Sequence, residues 1–518
     1  MGVAVKSQTV VELLRDACER SPDKEAFAFE DGLAVSRRDL RDLTEGFAAT
    51  LAQQVEPGDR VALIMDNCAE FMVAFLAALT CRAAVVPVNP EAGTTDATHV
   101  LGNSGAVVAI VDREGAELLD RCRGDLPELR TTIELSGAEP SRLPMGDERL
   151  ALADSGAAAD DIATVTYTSG TTGLPKGSLI DHAYLMRVTD VAVRVHEYRP
   201  EDRIFYPVKF FYIDALIALL RALQCDGTYI AVRRFSVTRF WDVVREQRVT
   251  IMSVIGAMPA WLLKAPPSPR DREHGVRFAI QTQIPRDLHK DLDERWGFPW
   301  LENYGMLESG IVARVPLALA PELQGSGSVG PPVPEVEVRI IDEDFNDVPT
   351  GEPGEVTVRQ PAMFRGYHGN IGATAALMRD GWICTGDIGR LDERGWLSIV
   401  GRKKDVIRRS AENISAAEVE MALRGHDSVF DAAVVGVPDG ERGEEVKAYV
   451  QLVSGTTGDE SRASELHEYC VAELAKHKVP RYFEFVDDFP RTPSMRVRKE
   501  LLRDREPAGR AWDREAQT

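Results

Sequence analysis

Apolar residues recur along this chain with two different periods, and the way those periods alternate predicts the architecture. Val10, Leu13, Leu14 and Ala17 follow helical spacing, and Asp31-Gly32 marks the turn of a short hairpin inside residues 9–53. Pro57-Gly58-Asp59 then opens a strand, Arg60 to Ile64, that is apolar after its first residue. A helix over Glu70 to Thr80, a strand over Ala84 to Val88 and a further run from Ala106 to Val111 follow. Strands that are apolar throughout and alternate with helices predict parallel βαβ units with both faces of the sheet covered. Residues 112–160 are polar and predict irregular structure. Beyond them, the segment Phe205 to Asp214 leads into a helix over Ala215 to Gln224, and Leu262 to Arg272 reads as a surface loop rich in proline and charge. From residue 325 the pattern changes. Short apolar runs such as Val336 to Ile341 and Glu355 to Val358, punctuated by Asp-Glu and Gly-Glu turns, predict a β-rich section. Residues 418–452 alternate a helix with two strands, and 463–476 predict an amphipathic helix. The fold class expected is α/β: a large N-terminal domain with parallel and mixed sheets and helices, followed by a small, mobile α+β domain.

Composition narrows the partners. The chain has 518 residues, and 61 Lys+Arg against 82 Asp+Glu give a net charge of −21, which argues against nucleic acid and anionic membranes as partners. Anionic substrates then require local positive charge. The seven cysteines are scattered, odd in number and without a CxxC, so they predict buried thiols rather than zinc ligands or a disulfide framework. The apolar stretch Ala69 to Val88 is interrupted by Glu70 and Arg82 and reads as helix plus buried strand, not as a membrane span. With no signal-peptide pattern at the N-terminus, a cytoplasmic location is expected.

The chemistry centres on Thr166 to Gly177, TYTSGTTGLPKG, which follows the β-type run Ile162 to Tyr167 and precedes a stretch read as helical. Glycines let backbone N–H groups approach anionic oxygens, the hydroxyls add donors, and Lys176 adds a positive charge, so the stretch reads as a phosphate cradle. The GK[ST] ending of a Walker loop is absent. At these residues the chain resembles the acyl-CoA ligase, or adenylate-forming, superfamily, and related motifs recur from about residue 55 to residue 500. The resemblance implies an enzyme that joins a carboxylic acid to AMP with release of pyrophosphate, then swings its C-terminal domain and passes the acyl group to coenzyme A.

The resemblance also assigns roles. Thr168, Ser169, Gly170, Thr171, Thr172, Gly173 and Lys176 would hold the nucleotide phosphates. Within Glu302-Asn-Tyr-Gly-Met-Leu-Glu308, Tyr304 would stack near the adenine and Glu308 would be catalytic as the magnesium ligand, carboxylate oxygen suiting that ion. In Thr385-Gly-Asp387, Asp387 would accept from the ribose hydroxyls, and Arg402 would reach ribose and phosphate. Phe211 and Tyr212, an aromatic pair that reads equally as core, would wall the acyl pocket together with Gln283, Gly305, Met306 and Leu307. The division expected is residues 1–401 for the acyl- and nucleotide-binding domain and 402–518 for the mobile lid, with the hinge near Lys404. Ala411, Glu412 and Asn413 would line the tunnel for coenzyme A.

Three departures modify that picture. Phe278 to Pro285 carries glutamines where relatives have a Gly-Gly-Ala-Pro-like turn. Leu307 replaces a threonine that offers its hydroxyl to the α-phosphate. In Phe489 to Lys499, Met495 and Arg496 stand where relatives have Gly-Lys, the lysine that bridges carboxylate and α-phosphate. Arginine keeps the charge, but its planar fork is not equivalent to an ammonium. Two changes therefore fall on the adenylation half-reaction. The favoured expectation is an enzyme that moves an acyl group from a supplied acyl-adenylate to coenzyme A, with Arg496, Glu308 and Lys176 as the catalytic set, adenylation impaired or absent, and a separate adenylating partner enzyme. A complete ligase using ATP and magnesium is the alternative, and an inactive acyl-adenylate- and coenzyme-A-binding protein the third. The acid is expected to be hydrophobic.

Overall fold

The computed structural model describes residues 7–137, 143–146, 148–168, 174–282, 284, 286–410, 412–491, 497–503 and 511–517. Two sheets form the frame of the large N-terminal α/β domain. A six-stranded sheet runs in the order Thr131–Glu134, Val108–Val111, Arg60–Ile64, Ala84–Val88, Ile162–Thr168, Lys176–Asp181, parallel except for its last pair. An eight-stranded sheet has a parallel centre and an antiparallel strand at each edge, Gly310–Arg314 and Ala34–Ser36. The apolar runs seen in the sequence are the interior strands, buried on both faces because helices lie between the two sheets. Val61, Leu63, Val85 and Ile110 of one sheet share a core with Phe27, Phe29, Tyr229 and Ile280 of the other. The helix Ala69–Thr80 is buried at every residue, which explains its lack of a polar face. Among the described residues, no helix is long and apolar enough to cross a membrane.

Where the structure departs from expectation, the reason is local. Residues 112–160 are not wholly irregular: a helix spans Arg113–Cys122 and a strand Thr131–Glu134. The helix is capped by Asp112, whose carboxylate accepts from the Gly115 N–H at 2.8 Å, and it buries only Leu118, Leu119, Cys122 and Gly115. So narrow an apolar stripe among charges gives little signal. The helix His182–Val195 does not follow the cradle directly: a strand, Lys176–Asp181, paired antiparallel with Ile162–Thr168, comes first. Leu262 to Lys264 belong to the helix Met258–Lys264, and the surface loop follows it. All seven cysteines are free thiols, and six of them are buried.

A third, antiparallel sheet contains Trp382–Leu391 paired with Leu397–Arg402. Three residues, Lys403–Asp405, separate it from the strand Val406–Arg409, which belongs to the six-stranded mixed sheet of the small C-terminal domain. That domain packs the helix Ala416–Arg424 against the long pair Val429–Asp439 and Gly443–Leu452. It touches the large domain through Lys264, whose ammonium donates to the Phe430 carbonyl at 2.7 Å and lies 3.7 Å from the centre of that ring. Burial there pushes the Lys264 pKa down to about 8.

Helix His182–Val195 is tied to the N-terminal helix Val10–Arg20 through His182, which is 1% exposed and accepts the Val10 N–H on Nδ1 at 3.2 Å. Burial pushes the His182 pKa from 6.5 down to about 4. As pH falls through that window the unfolded chain binds a proton that the folded chain refuses, so stability is present above 6.5 and falls towards 4. The difference amounts to about 3 kcal/mol. Replacing His182 by Gln should flatten the pH dependence of the unfolding midpoint between pH 6.5 and 4 relative to the parent, as followed by denaturant titration; an unchanged slope would show that other groups govern acid sensitivity.

Candidate functional site

Three strands meet at Asp387. It lies on Trp382–Leu391, directly opposite Arg402 on the neighbouring strand, and cross-strand partners on one face reach each other readily. The Arg402 Nε stands 2.9 Å from Asp387 Oδ1, and the Tyr304 hydroxyl, from strand Trp300–Met306, donates to Oδ2 at 2.7 Å. Thr385 Oγ1 accepts the Asp387 N–H at 3.1 Å while donating to the Val356 carbonyl at 2.8 Å. Gly386 between them has φ +69°, the left-handed conformation that glycine adopts without steric cost. The carboxylate is buried yet carries more lone pairs than its two partners use, so it retains acceptor capacity for a vicinal diol. Burial and the Asp387 charge raise the Tyr304 pKa, so that phenol stays a donor.

The same hairpin that carries Tyr304 carries Glu308. The fold of this hairpin requires glycine at 305, since a Cβ there would lie 2.5 Å from the Gly310 carbonyl oxygen. Glu308 is 6% exposed, and its Oε1 accepts from the Tyr367 hydroxyl at 2.7 Å. The ring of that tyrosine lies beneath Lys176, whose ammonium is 5.3 Å from its centre. The segment around Tyr367 is pinned to the cradle hairpin by the His368 N–H donating to Gly177 O (2.7 Å) and the Leu179 N–H to Gly366 O (2.9 Å), and to Glu308 by the Phe364 N–H donating to its carbonyl (3.0 Å). Tyr367 thus joins Lys176 to Glu308, a role that sequence reasoning missed. The only signal was a tyrosine after glycine in Phe364-Arg-Gly-Tyr367. Among the described residues no group of three or more His, Cys, Asp or Glu forms a metal cage. A single carboxylate suits magnesium, which keeps waters and substrate phosphates as its other ligands, and Glu308 with one oxygen engaged fits that mode.

Of the residues expected at the acyl pocket, Phe211 and Tyr212 have ring centres 4.6 Å apart and are half-buried at the start of the helix Ile213–Cys225. Met306 and Leu307 are half-buried against the main core, and the Leu307 carbonyl accepts from the Tyr184 hydroxyl at 2.8 Å. Leu307 therefore turns a hydrocarbon where a threonine would turn a hydroxyl. Thr168 ends the strand before the cradle, opposite Lys176. Ser169, Gly170, Thr171, Thr172, Gly173, Gln283, Ala411 and Arg496 lie outside the described residues, as does the side chain of Asn413. Glu412 is exposed on the strand Glu412–Ser415, and Lys404 is exposed in the turn Lys403–Asp405, its carbonyl accepting from Arg503 at 3.0 Å. Lys499, the lysine three positions after 496, is held by Glu420 at 2.6 Å. That glutamate also accepts the Val434 N–H at 2.7 Å.

The sequence matches the model of the AMP-binding enzyme over residues 14–368 and that of the AMP-binding enzyme C-terminal domain over 418–496. It is 30% identical to a crotonobetaine/carnitine–CoA ligase of Citrobacter koseri over 96% of this chain and 99% of that protein. Among solved structures, o-succinylbenzoate–CoA synthetase from Bacillus subtilis in complex with its acyl-adenylate intermediate superposes with a TM-score of 0.82. The two are 27% identical over 95% of this chain and 98% of that one. A Mycobacterium tuberculosis fatty acyl-CoA synthetase gives 0.74 at 26% identity, covering 96% and 98%.

If Asp387 is the ribose acceptor, Asp387→Asn should weaken AMP binding by about 1.5–3 kcal/mol, on the order of 10- to 100-fold, as measured by titration calorimetry. Tyr304→Phe should weaken it less, since Arg402 still orients the carboxylate. AMP affinity unchanged in Asp387→Asn would place the ribose elsewhere.

Proposed function

The chain belongs to the AMP-binding enzyme family, and from that membership we propose that it transfers an acyl group from an acyl-adenylate to coenzyme A while forming that adenylate poorly or not at all. As a member of the acyl-CoA ligase superfamily it is an enzyme of the acid–thiol ligase class. The observation that carries the finer reading is an asymmetry. The Tyr304–Asp387–Arg402 shelf is complete, whereas the phosphate side has a leucine at 307 and an arginine at 496, and Lys499 is engaged by Glu420 and not free to substitute. Relatives named for crotonobetaine and carnitine, o-succinylbenzoate and fatty acyl groups share a carboxylic acid as substrate. The half-buried Phe211, Tyr212, Met306 and Leu307 support an acid with a hydrophobic body.

In this reading Asp387 and Arg402 hold the AMP moiety, and Phe211, Tyr212, Met306 and Leu307 hold the acyl group. The thiol sulfur attacks the acyl carbonyl carbon, a C–S bond forms, the C–O bond to the phosphate breaks, AMP leaves with the electron pair, and the thiol proton passes to solvent. None of these events requires a lysine at 496. Adenylation does require a cation there, because carboxylate and α-phosphate are both anions and repel at close range. The two moving parts are taken to meet just after residue 401, where Arg402 is still the last residue of the large domain's strand, with Lys404 as hinge and 411–413 as the tunnel wall. An enzyme of this kind depends on a separate source of adenylate. A complete ligase is the second reading, favoured by the retained line from Lys176 through Tyr367 to Glu308. In it, magnesium held by Glu308 would neutralise phosphate charge.

Three substitutions together, Arg496→Lys, Met495→Gly and Leu307→Thr, should raise acid-dependent pyrophosphate release from ATP by about 10²–10³-fold, since one preorganised donor is worth about that much. Transfer from a supplied adenylate should change little. A parent that already releases pyrophosphate as fast as the triple variant is an ordinary ligase.

Lys404→Pro, which fixes φ at the proposed hinge, should suppress thioester formation while leaving adenylate binding within about twofold. Equal loss of both would move the hinge elsewhere.

A further inference from the structure

The helix Ile213–Cys225 lies between the two large sheets, and twelve of its 13 residues are buried. The exception is Asp214, which is exposed, although Ile213 and Ala215 on either side are 7% and 0% exposed. An acidic residue in a first turn complements the helix dipole, and on a surface helix that would account for it. This helix has no surface face, so the solvent that reaches Asp214 stands in a recess inside the domain. The recess can be placed by its neighbours. Tyr184 feels the charges of both Asp214 and Glu308, and its hydroxyl donates to the Leu307 carbonyl. Phe211 and Tyr212 stand three and two positions before Asp214 in the chain. Asp214 therefore lies across one tyrosine from the residues assigned to the acyl wall.

The carboxylate is surrounded by protein although water touches it, and burial raises its pKa against the opposing effect of Arg221 and Arg314. Both guanidiniums are buried, at 6% and 1% exposure, and neither forms an ion pair with it among the described residues. An acyl group entering the recess displaces the water that now solvates Asp214. A hydrocarbon end would leave a carboxylate facing methyl groups without a partner, a costly arrangement. A positively polarised end, an ammonium or a hydroxyl, would replace the lost water.

We infer that Asp214 is a specificity-determining residue of the acyl site and that the acid taken by this protein has an apolar body ending in an ammonium or hydroxyl group. The inference rests on the reading of 211–212 and 306–307 as the acyl wall and refines the hydrophobic acid proposed above. In sequence, the signal was a single charge at the head of Ile-Asp-Ala-Leu-Ile-Ala-Leu-Leu.

The test uses the full chain and acyl-sulfamoyl adenosines, stable mimics of an acyl-adenylate that bind whether or not adenylation occurs. Short, medium and long chains are compared, each matched in length and ending in methyl, hydroxyl or ammonium, and affinities are measured by calorimetry. At the best-fitting length, the hydroxyl or ammonium analogue should bind about tenfold or more tightly than its methyl counterpart. Asp214→Leu should reverse that order, and Asp214→Asn, which keeps the shape but not the charge, should remove any advantage of the ammonium. If all three ends bind equally, or the preference survives both substitutions, the inference fails while the adenylate-binding reading stands. Failure of every analogue to bind would overturn that reading and the inference with it.

Discussion

The site depends on one carboxylate held in place from two sides. Asp387 is gripped by the Tyr304 hydroxyl from the strand next to the edge of the eight-stranded sheet and by Arg402 from the strand beside its own. Hydrogen bonds to a charged group of this kind are worth about 1.5–3 kcal/mol each, more than neutral ones. Their structural effect is to tie the sheet that carries both Asp387 and Arg402 to the eight-stranded sheet that carries Tyr304. Arg402 is the last residue of its strand, and the three residues after it lead into the C-terminal domain. The group that orients the carboxylate is therefore also the last fixed point before the chain leaves the large domain.

A second constraint is carried by the hairpin Trp300–Arg314. Its glycine at 305 brings the two strands so close that a methyl group would collide with the opposite carbonyl, and this closeness sends Tyr304 towards Asp387 and Glu308 towards Tyr367. Tyr184 fastens the turn through the Leu307 carbonyl, and helix His182–Val195, which carries Tyr184, is itself anchored to the N-terminus through His182. Residues far from the chemistry in sequence thus set the angle of the turn that faces it.

Much of the frame could be read in advance, because a strand buried on both faces is apolar at every position and a wholly buried helix such as Ala69–Thr80 has no polar stripe to disguise it. The helix Arg113–Cys122 was missed because its apolar stripe is narrow and set among charges. The strand after the cradle was missed because Lys-Gly-Ser-Leu-Ile-Asp is half polar and takes its conformation from pairing with Ile162–Thr168. Residues of the site that sit in compact motifs, Tyr304, Glu308, Asp387 and Arg402, were recognisable. Tyr367 and Tyr184 were not, since their partners lie 59 and 123 positions away and only the folded chain brings them together. Asp214 was not singled out, since a lone charge at the head of an apolar run gains meaning only once the helix around it is known to be interior.

The ion pair between Lys499 and Glu420 bears on how the protein could change over generations. Glu420 is 6% exposed, receives the Val434 N–H and has Arg424 at 3.6 Å as a second cation, so pulling Lys499 away would remove the shorter of its two ion pairs, at 2.6 Å, a loss of about 1.5–3 kcal/mol. On the proposed reading, slippage of the chain by three positions is therefore a costly evolutionary route to a lysine at the phosphate. Substitution at 496 itself breaks no such pair among the described residues, so on this reading the history of that one codon would record what the enzyme has been selected to do.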